Sequence, residues 1–577
     1  MKVLLLHWED TLSCVPRQAW DMVVDLGRAP RSTYQRWRQR VGCEVLSLYD
    51  FAEEIEDLYQ IRDLLQIGSG QMLDAHGIDW WDALCLDLVP DLQQLVLVQR
   101  LSDRLGRSCQ LWASRPNRAA SALARMMAMD LNISVRGAQA WRHRAARYHQ
   151  FFTRLDRTQI AQVIEDKLRL NRFFGLFSRS ADPSARPIVL LPTAYINSSR
   201  TAVEFANQLP EQQFLLVYAR TSGKSKSVPD NVWVSPLPFN SSSRDGAEIS
   251  ELLHQWRNLK QRLTSQTREF AVADAVGMFD GMPGLLRAGI AHRNAWRRVF
   301  DSNHVVGCIC TDASNAATRI SLDMAKARNL PAVASHHGAL NFFMAIQTPL
   351  ADFYIAKTEI EHDYLHRVCQ IPEEKILGGN SGAAQPSRPT LRDKKSNRPW
   401  LVFFSEPYRT SYWRTDEIYA ELLPPLFDLA QNLGLKLVLK IHPFESVKDH
   451  RRRLRRYLPE DASRVQVIAG PPTAELWRST RLALTVQSTT ALEAAALGIP
   501  VFLCAWLRDA FSGYLAQYSR FGIGRVLESV EQIAQIPALL TDQDGNPGQS
   551  QVWKPANAKD LEQLFSESRS LQTASNF

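Results

Sequence analysis

The stretch from 437 to 504 constrains the fold of this chain more than any other. It opens with LVLKIHPF, an apolar run that carries Lys440, His442 and Pro443 at its end, the pattern of a buried strand whose polar residues sit on the loop at its carboxyl edge. It closes with LALTVQSTTALEAAALGIPVFLCAW. That string predicts a strand over 482–486, a hydroxyl cluster of Ser488, Thr489 and Thr490, and an Ala-rich helix over 491–497. A stop at Gly498 and Pro500 follows, then a second strand over 501–504. A helix that starts directly after a strand leaves its first N–H groups in the crevice at the sheet's edge, where an anionic phosphate can take them. The three hydroxyls either cap that helix or donate to the same phosphate. Glu493, one turn in, reaches a cap N–H or a ligand hydroxyl. An ordinary capped helix in any α/β sheet gives the same string. Lys440 and His442 at the end of an apolar strand are what favour a site.

KIHP, the hydroxyl cluster, ALEA and GIPV together resemble the C-terminal half of bacterial glycosyltransferases with two facing Rossmann-like domains. Within that group the pattern is most similar to the enzymes of surface polysaccharide assembly: capsule Kdo transferases, polysialyltransferases and CDP-glycerol glycerophosphotransferases. The resemblance covers roughly 187–540. It implies an α/β chain of the GT-B-type glycosyltransferase fold, with a helical basic insertion in its first half.

A length of 577 residues and 45% apolar content fit two or three domains. The expected division is an N-terminal α/β and helical region over 1–180, on the acceptor side. A Rossmann-like domain over 186–385 forms the rest of that side and the cleft, a nucleotide-sugar-binding domain covers 396–550, and a tail covers 551–577. A net charge of +8 suits an acidic partner, whether a phosphorylated substrate, an anionic membrane surface or a nucleic acid. The eight cysteines include no CxxC pair, which points to core thiols in a reducing cytoplasmic setting. MKVLLLHW reads as a strand, too short for a signal peptide, and no run suits a spanning helix. The expected location is therefore the cytoplasm, with peripheral attachment at the inner face of the plasma membrane as the alternative.

Along the chain, residues 1–49 read as strand, basic Trp-rich helix, strand, and residues 51–179 as mostly helical. Within the latter, Asp79, Trp80, Trp81 and Asp82 read either as an acceptor groove or as two indoles in a packing layer. WRHRAARYHQFF, with Trp141, Arg142 and Phe151, reads either as a surface for anionic headgroups or polymers, or as a solvated basic helix. From IVLLPTAY onward the pattern is α/β. VVGCICTDASN and the helix after it lead to a strand tip with His336, His337 and Gly338, where a histidine could take a proton from an acceptor hydroxyl. The glycerophosphotransferases carry a similar His-Gly element. Gly379 in KILGGNSG is a candidate for the donor phosphate, and Glu406 at the end of WLVFFSE is the alternative base. RRRLRR, at 451–456, is a dense cationic run, and a nucleic-acid role is disfavoured because no recognised binding motif accompanies it.

These readings converge on transfer of a sugar from a nucleotide-activated donor to a glycan or lipid-linked acceptor. Lys440, Ser488, Thr489, Thr490, Glu493 and Gly379 would bind the donor, and His442 with Lys440 would neutralise the departing phosphate. His336, His337 or Glu406 would serve as base. No DxD-type pair stands at a strand end, so neither an obligatory metal nor a cofactor is expected. The alternatives are CDP-glycerol-type polyol phosphotransfer, UDP-sugar epimerisation, or a non-enzymatic protein that binds an anionic polymer.

Overall fold

The computed structural model describes residues 1–7, 10, 19–27, 31–106, 108–114, 117–133, 186–220, 224–225, 227–238, 245–336, 346, 351–378, 399–406, 412–442, 445–507, 518, 520–541 and 560–566. The strands among them form three parallel sheets. The first holds β1 (Lys2–Leu6), β2 (Met22–Asp25), β3 (Val45–Ser47), β4 (Gln110–Ala113) and β5 (Leu131–Ile133), in the order β3-β2-β1-β4-β5. The second holds β6 (Ile188–Thr193), β7 (Gln213–Tyr218), β8 (Val232–Pro236), β9 (Val305–Cys310), β10 (Ala332–Ala334), β11 (Phe353–Ala356) and β12 (Ile376–Gly378), in the order β12-β11-β10-β9-β6-β7-β8. The third holds β13 (Trp400–Phe404), β14 (Lys436–Lys440), β15 (Gln466–Ile468), β16 (Thr480–Thr485), β17 (Val501–Cys504) and β18 (Arg525–Leu527), in the order β15-β14-β13-β16-β17-β18.

All three share one winding rule: the chain lays strands outward to one edge, then returns to the other side of the first strand. The switch in direction falls at β1/β4, β6/β9 and β13/β16, where a crevice opens beyond the carboxyl ends of the strands. The sequence supports this because parallel sheets covered on both faces need unbroken apolar strands, and IVLLPT and VVGCIC are buried at every residue. The second and third sheets are the two Rossmann-like units expected of the GT-B-type fold.

The N-terminal region has the strands expected at β1 and β3 and carries more strand than its α/β and helical reading foresees. MVVD, QLWA and LNI are strands β2, β4 and β5, which complete the first sheet. Runs of three or four apolar residues fit a buried strand and a turn of buried helix equally well, so periodicity could not separate them. The basic aromatic segment around Trp141, and His337, Gly338 and Gly379, lie outside the described residues.

Trp80 and Trp81 belong to the packing layer and not to an acceptor groove: they are 0% and 1% exposed. The Trp80 indole donates to Asp74 at 2.9 Å and packs where a Cβ on Gly289 would stand, so that the helix Trp80–Leu84 sits tightly against the helix Met282–Asp301. Arg293, 1% exposed, pairs with Asp74 at 2.7 Å and with Glu248, which ties the N-terminal region to the helices of the second sheet. Residues 560–566 are helical, and their Leu561 and Phe565 join the core of the second sheet, with Phe565 lying directly over Gly307 of β9.

Candidate functional site

One cleft of about 260 Å³ lies where the carboxyl ends of the second and third sheets meet. From the second sheet come Arg200 and Glu204 on the helix Ile196–Gln208, which follows β6, and Lys357, Thr358 and Glu361 beyond the end of β11. From the third sheet come Ser405 beyond β13, Lys440 and His442 at the end of β14, and Ser488, Thr489, Thr490 and Glu493 beyond β16. Every one of these residues follows or ends a parallel strand, or lies on the helix that follows one. The doubly wound topology puts each set at the carboxyl edge of its own sheet, and the meeting of the two edges brings together positions more than 200 residues apart.

The hydroxyl cluster begins the helix Thr490–Ala496. Ser488 Oγ accepts from the Thr490 hydroxyl at 3.0 Å, and the Ser488 amide donates to Thr485 Oγ1 at 3.2 Å. Thr489 occupies the cap position, but its side chain makes no capping bond.

Lys440 is 5% exposed, and its ammonium donates to the Ile441 carbonyl at 2.9 Å. Burial lowers its pKa to about 8, with Glu445 and Glu493 opposing the shift and Arg200 adding to it. Burial raises the Glu493 carboxyl to about 6 against the pull of Lys440 and Lys357. The two lysines belong to different sheets, so Glu493 feels both halves of the cleft. Lys357 donates to the His336 carbonyl at 2.5 Å and pairs with Glu361 at 3.1 Å; burial pushes the Glu361 carboxyl up, with Lys357 opposing.

The turn after β14 is held by Glu445. Its Oε2 accepts from the His442 amide at 3.0 Å and from the Ser405 hydroxyl, and its Oε1 lies 3.3 Å from Nε2 of the fully buried His450. Burial pushes this carboxyl up, but His450, Ser405 and the His442 amide together hold it below its ordinary value. One side chain thus fixes the tips of β13 and β14 and the helix Val447–Tyr457.

The expected site residues divide accordingly. Lys440, His442, Ser488, Thr489, Thr490 and Glu493 converge on the cleft. His336 is 6% exposed, bridges Asp312 through the backbone, and does not line it. Glu406 does not line the cleft either: its Oε1 accepts from the Gln487 amide at 2.7 Å, which joins the tips of β13 and β16.

Arg200, Lys357 and Glu445 were not foreseen. A signal existed for Lys357, since FYIAK and LVLK are both apolar strands that end in a lysine. Arg200 lies in NSSRT, which repeats after β6 the hydroxyl-rich helix start found after β16.

No known protein family matches the chain, and no curated protein does. Solved structures similar in fold include the UDP-GlcNAc 2-epimerase of Methanocaldococcus jannaschii, at 12% identity over 66% of this chain and 99% of that one, with a TM-score of 0.42. A glycosyltransferase from Rickettsia africae matches at 13% identity, 66% and 93% coverage and a TM-score of 0.37. The wall teichoic acid polymerase TagF matches at 10% identity, 73% and 98% coverage and a TM-score of 0.37. At such identities the likeness concerns the fold alone.

Proposed function

We propose that this protein is a glycosyltransferase that moves a sugar from a nucleotide-activated donor to a glycan or lipid-linked acceptor of a surface polysaccharide. The observation that carries this reading is the cleft itself. Three cations, Arg200, Lys357 and Lys440, stand around a hydroxyl cluster at the joint carboxyl edge of two parallel sheets. That setting suits a phosphorylated ligand held between them.

In the reaction the acceptor hydroxyl gives its proton to a base on the second sheet's side, where Glu204 and Glu361 line the cleft, and its oxygen attacks the anomeric carbon. The bond from that carbon to the donor's phosphate oxygen breaks, and the nucleotide leaves with the electron pair. Lys440 and His442 stabilise the charge that develops on the departing oxygen, where preorganised donors act most strongly. Ser488, Thr489 and Thr490 bind the same phosphate, and Glu493 takes a hydroxyl of the donor. We assign the acceptor to the side of the second sheet, beside Lys357 and Glu361.

Among the described residues no helix is long and apolar enough to cross a membrane. A lipid-linked acceptor would therefore be met at a membrane surface.

The test is a panel of CMP-, UDP-, GDP- and CDP-linked donors, followed by thermal protection and by release of free nucleotide in the presence of acceptor glycans. A ligand that binds the native state raises the melting temperature. One nucleotide class should protect the protein, and its sugar should appear on the acceptor. Conversion of the donor to an epimer without an acceptor, or transfer of a polyol phosphate, would replace this reading. In Ser488→Ala and Thr489→Ala, binding of the nucleotide sugar should weaken by about 0.5–1.5 kcal/mol per lost hydrogen bond, and binding of the bare nucleoside should not change.

A further inference from the structure

The helix Val447–Tyr457 carries Lys448, Arg451, Arg452, Arg453, Arg455 and Arg456, and the structure sorts these cations into two groups. Arg452 pairs with Asp449 at 3.1 Å, Arg453 lies over the Tyr419 ring at 5.8 Å, and Arg456 lies over the Tyr457 ring at 5.3 Å. Lys448, Arg451 and Arg455 have neither an ion pair nor a ring contact among the described residues, and all three are exposed. These three are the cations that line a separate groove of about 860 Å³, whose floor includes Val447, Pro459 and Val465. Glu460 stands at the same groove and offsets one positive charge of the three.

Their spacing is that of a single helix face. At 1.5 Å per residue, the steps from 448 to 451 and from 451 to 455 rise by about 4.5 and 6 Å, so the charges form a row along the axis. Like charges at this spacing repel one another, which costs stability. Glu460 offsets part of that cost, and no ion pair within the described fold offsets the rest.

We propose that this groove binds a linear acidic polysaccharide laid along the helix. A chain that carries carboxylate or sulfate groups on successive sugars matches a row of cations, and guanidinium forks pair with such groups bidentately. The aliphatic floor accepts the C–H faces of sugar rings. Nucleic acid fits less well, because no aromatic ring among the described residues lines the groove and single-stranded binding depends on base stacking. A bilayer surface would meet Arg452 and Arg456 as readily as the groove residues, so it gives no reason for the sorting of cations. The proposal does not depend on transfer chemistry, because it concerns binding outside the cleft.

The test uses the full chain and a fluorescently labelled heparin oligosaccharide of defined size, titrated by anisotropy at several salt concentrations. Arg451→Gln/Arg455→Gln should weaken binding at least ~10-fold and reduce the salt slope by about 2, near one for each cation removed. Arg452→Gln/Arg456→Gln removes the same charge outside the groove and should stay within about 3-fold of the parent. Melting temperatures control for folding, and Lys448→Gln/Arg455→Gln replaces the first variant if that one melts early. Equal losses in the groove and control variants would show an effect of net charge alone and overturn the proposal. So would an absence of binding, or complete displacement by oligo(dT), polyglutamate or phosphatidylserine vesicles at equal charge.

Discussion

At the scale of single residues, the cleft owes its chemistry to two groups whose charges burial opposes. Lys440 is held down to about 8 and Glu493 up to about 6. A lysine with a lowered pKa is cationic below about 8 and loses that charge as the pH rises; a carboxylate with a raised pKa is ionised above about 6 and is lost as the pH falls. If Lys440 must be charged to hold phosphate and Glu493 ionised to accept a hydroxyl, kcat/KM follows a bell with limbs near 6 and 8. Lys440→Arg should move the alkaline limb upward, and a limb that stayed in place would take Lys440 out of the profile. His442→Ala should lower kcat by about 10²–10³, the usual loss for a donor aimed at developing negative charge. Its melting temperature should match the parent's, because a strand-tip side chain contributes little packing. Full activity in a folded His442→Ala protein would remove that residue from the mechanism.

At the scale of elements, the third sheet works as a clamp on its own loops. Glu445 joins Ser405 at the tip of β13, the His442 amide beyond β14, and His450 on the helix Val447–Tyr457. Glu445→Ala leaves the Ser405 hydroxyl and the His442 amide without their acceptor and opens a gap beside the buried His450. The expected cost is about 1–3 kcal/mol, as when a buried donor is left unsatisfied. Glu445→Gln keeps an acceptor oxygen and should cost clearly less. Urea unfolding of both variants, read beside kcat, separates the two contributions: the Gln variant should fold normally yet turn over more slowly as the His442 turn loosens. Equal stability of the Ala variant and the parent would show that Glu445 does not hold the turn. The sequence placed HPFE and DHRRR side by side but could not show that Glu445 reaches back to Ser405. That contact depends on β13 and β14 pairing in parallel from Trp400–Lys436 to Phe404–Lys440.

For the whole molecule, the cleft is shared. Arg200, Lys357 and Glu361 belong to one sheet and Lys440, Ser488 and Glu493 to another. A fragment over 396–541 contains the third sheet and a core of its own built around Leu401, Phe403, Leu437, Leu484 and Phe502. It omits 560–566, which pack on the second sheet. It should fold and retain affinity for the nucleotide while losing transfer, which calorimetric titration beside a transfer assay would report. A folded fragment with no nucleotide affinity would move the donor out of the third sheet. A fragment that turned over would make the second sheet dispensable.

The sequence by itself determined the central strands and turns of the second and third sheets, though not the three-residue edge strands β12, β15 and β18, because unbroken apolar runs, a Gly-Ile-Pro stop and polar strand tips are local patterns that leave few alternatives. It also supplied the third sheet's half of the cleft, since Lys440, His442 and the hydroxyl cluster sit at the ends of those runs. Only the tertiary structure decided the rest. Whether MVVD or QLWA is strand or helix depends on the neighbours that bury it. Trp80 is a packing residue because Gly289 leaves room for its ring. His336 does not line the cleft, while Lys357, which bonds to its carbonyl, does. The physical reason is the same in each case. A strand's pattern says which residues reach the sheet's edge, and the packing of one sheet against another decides which of them meet a ligand and which meet the core.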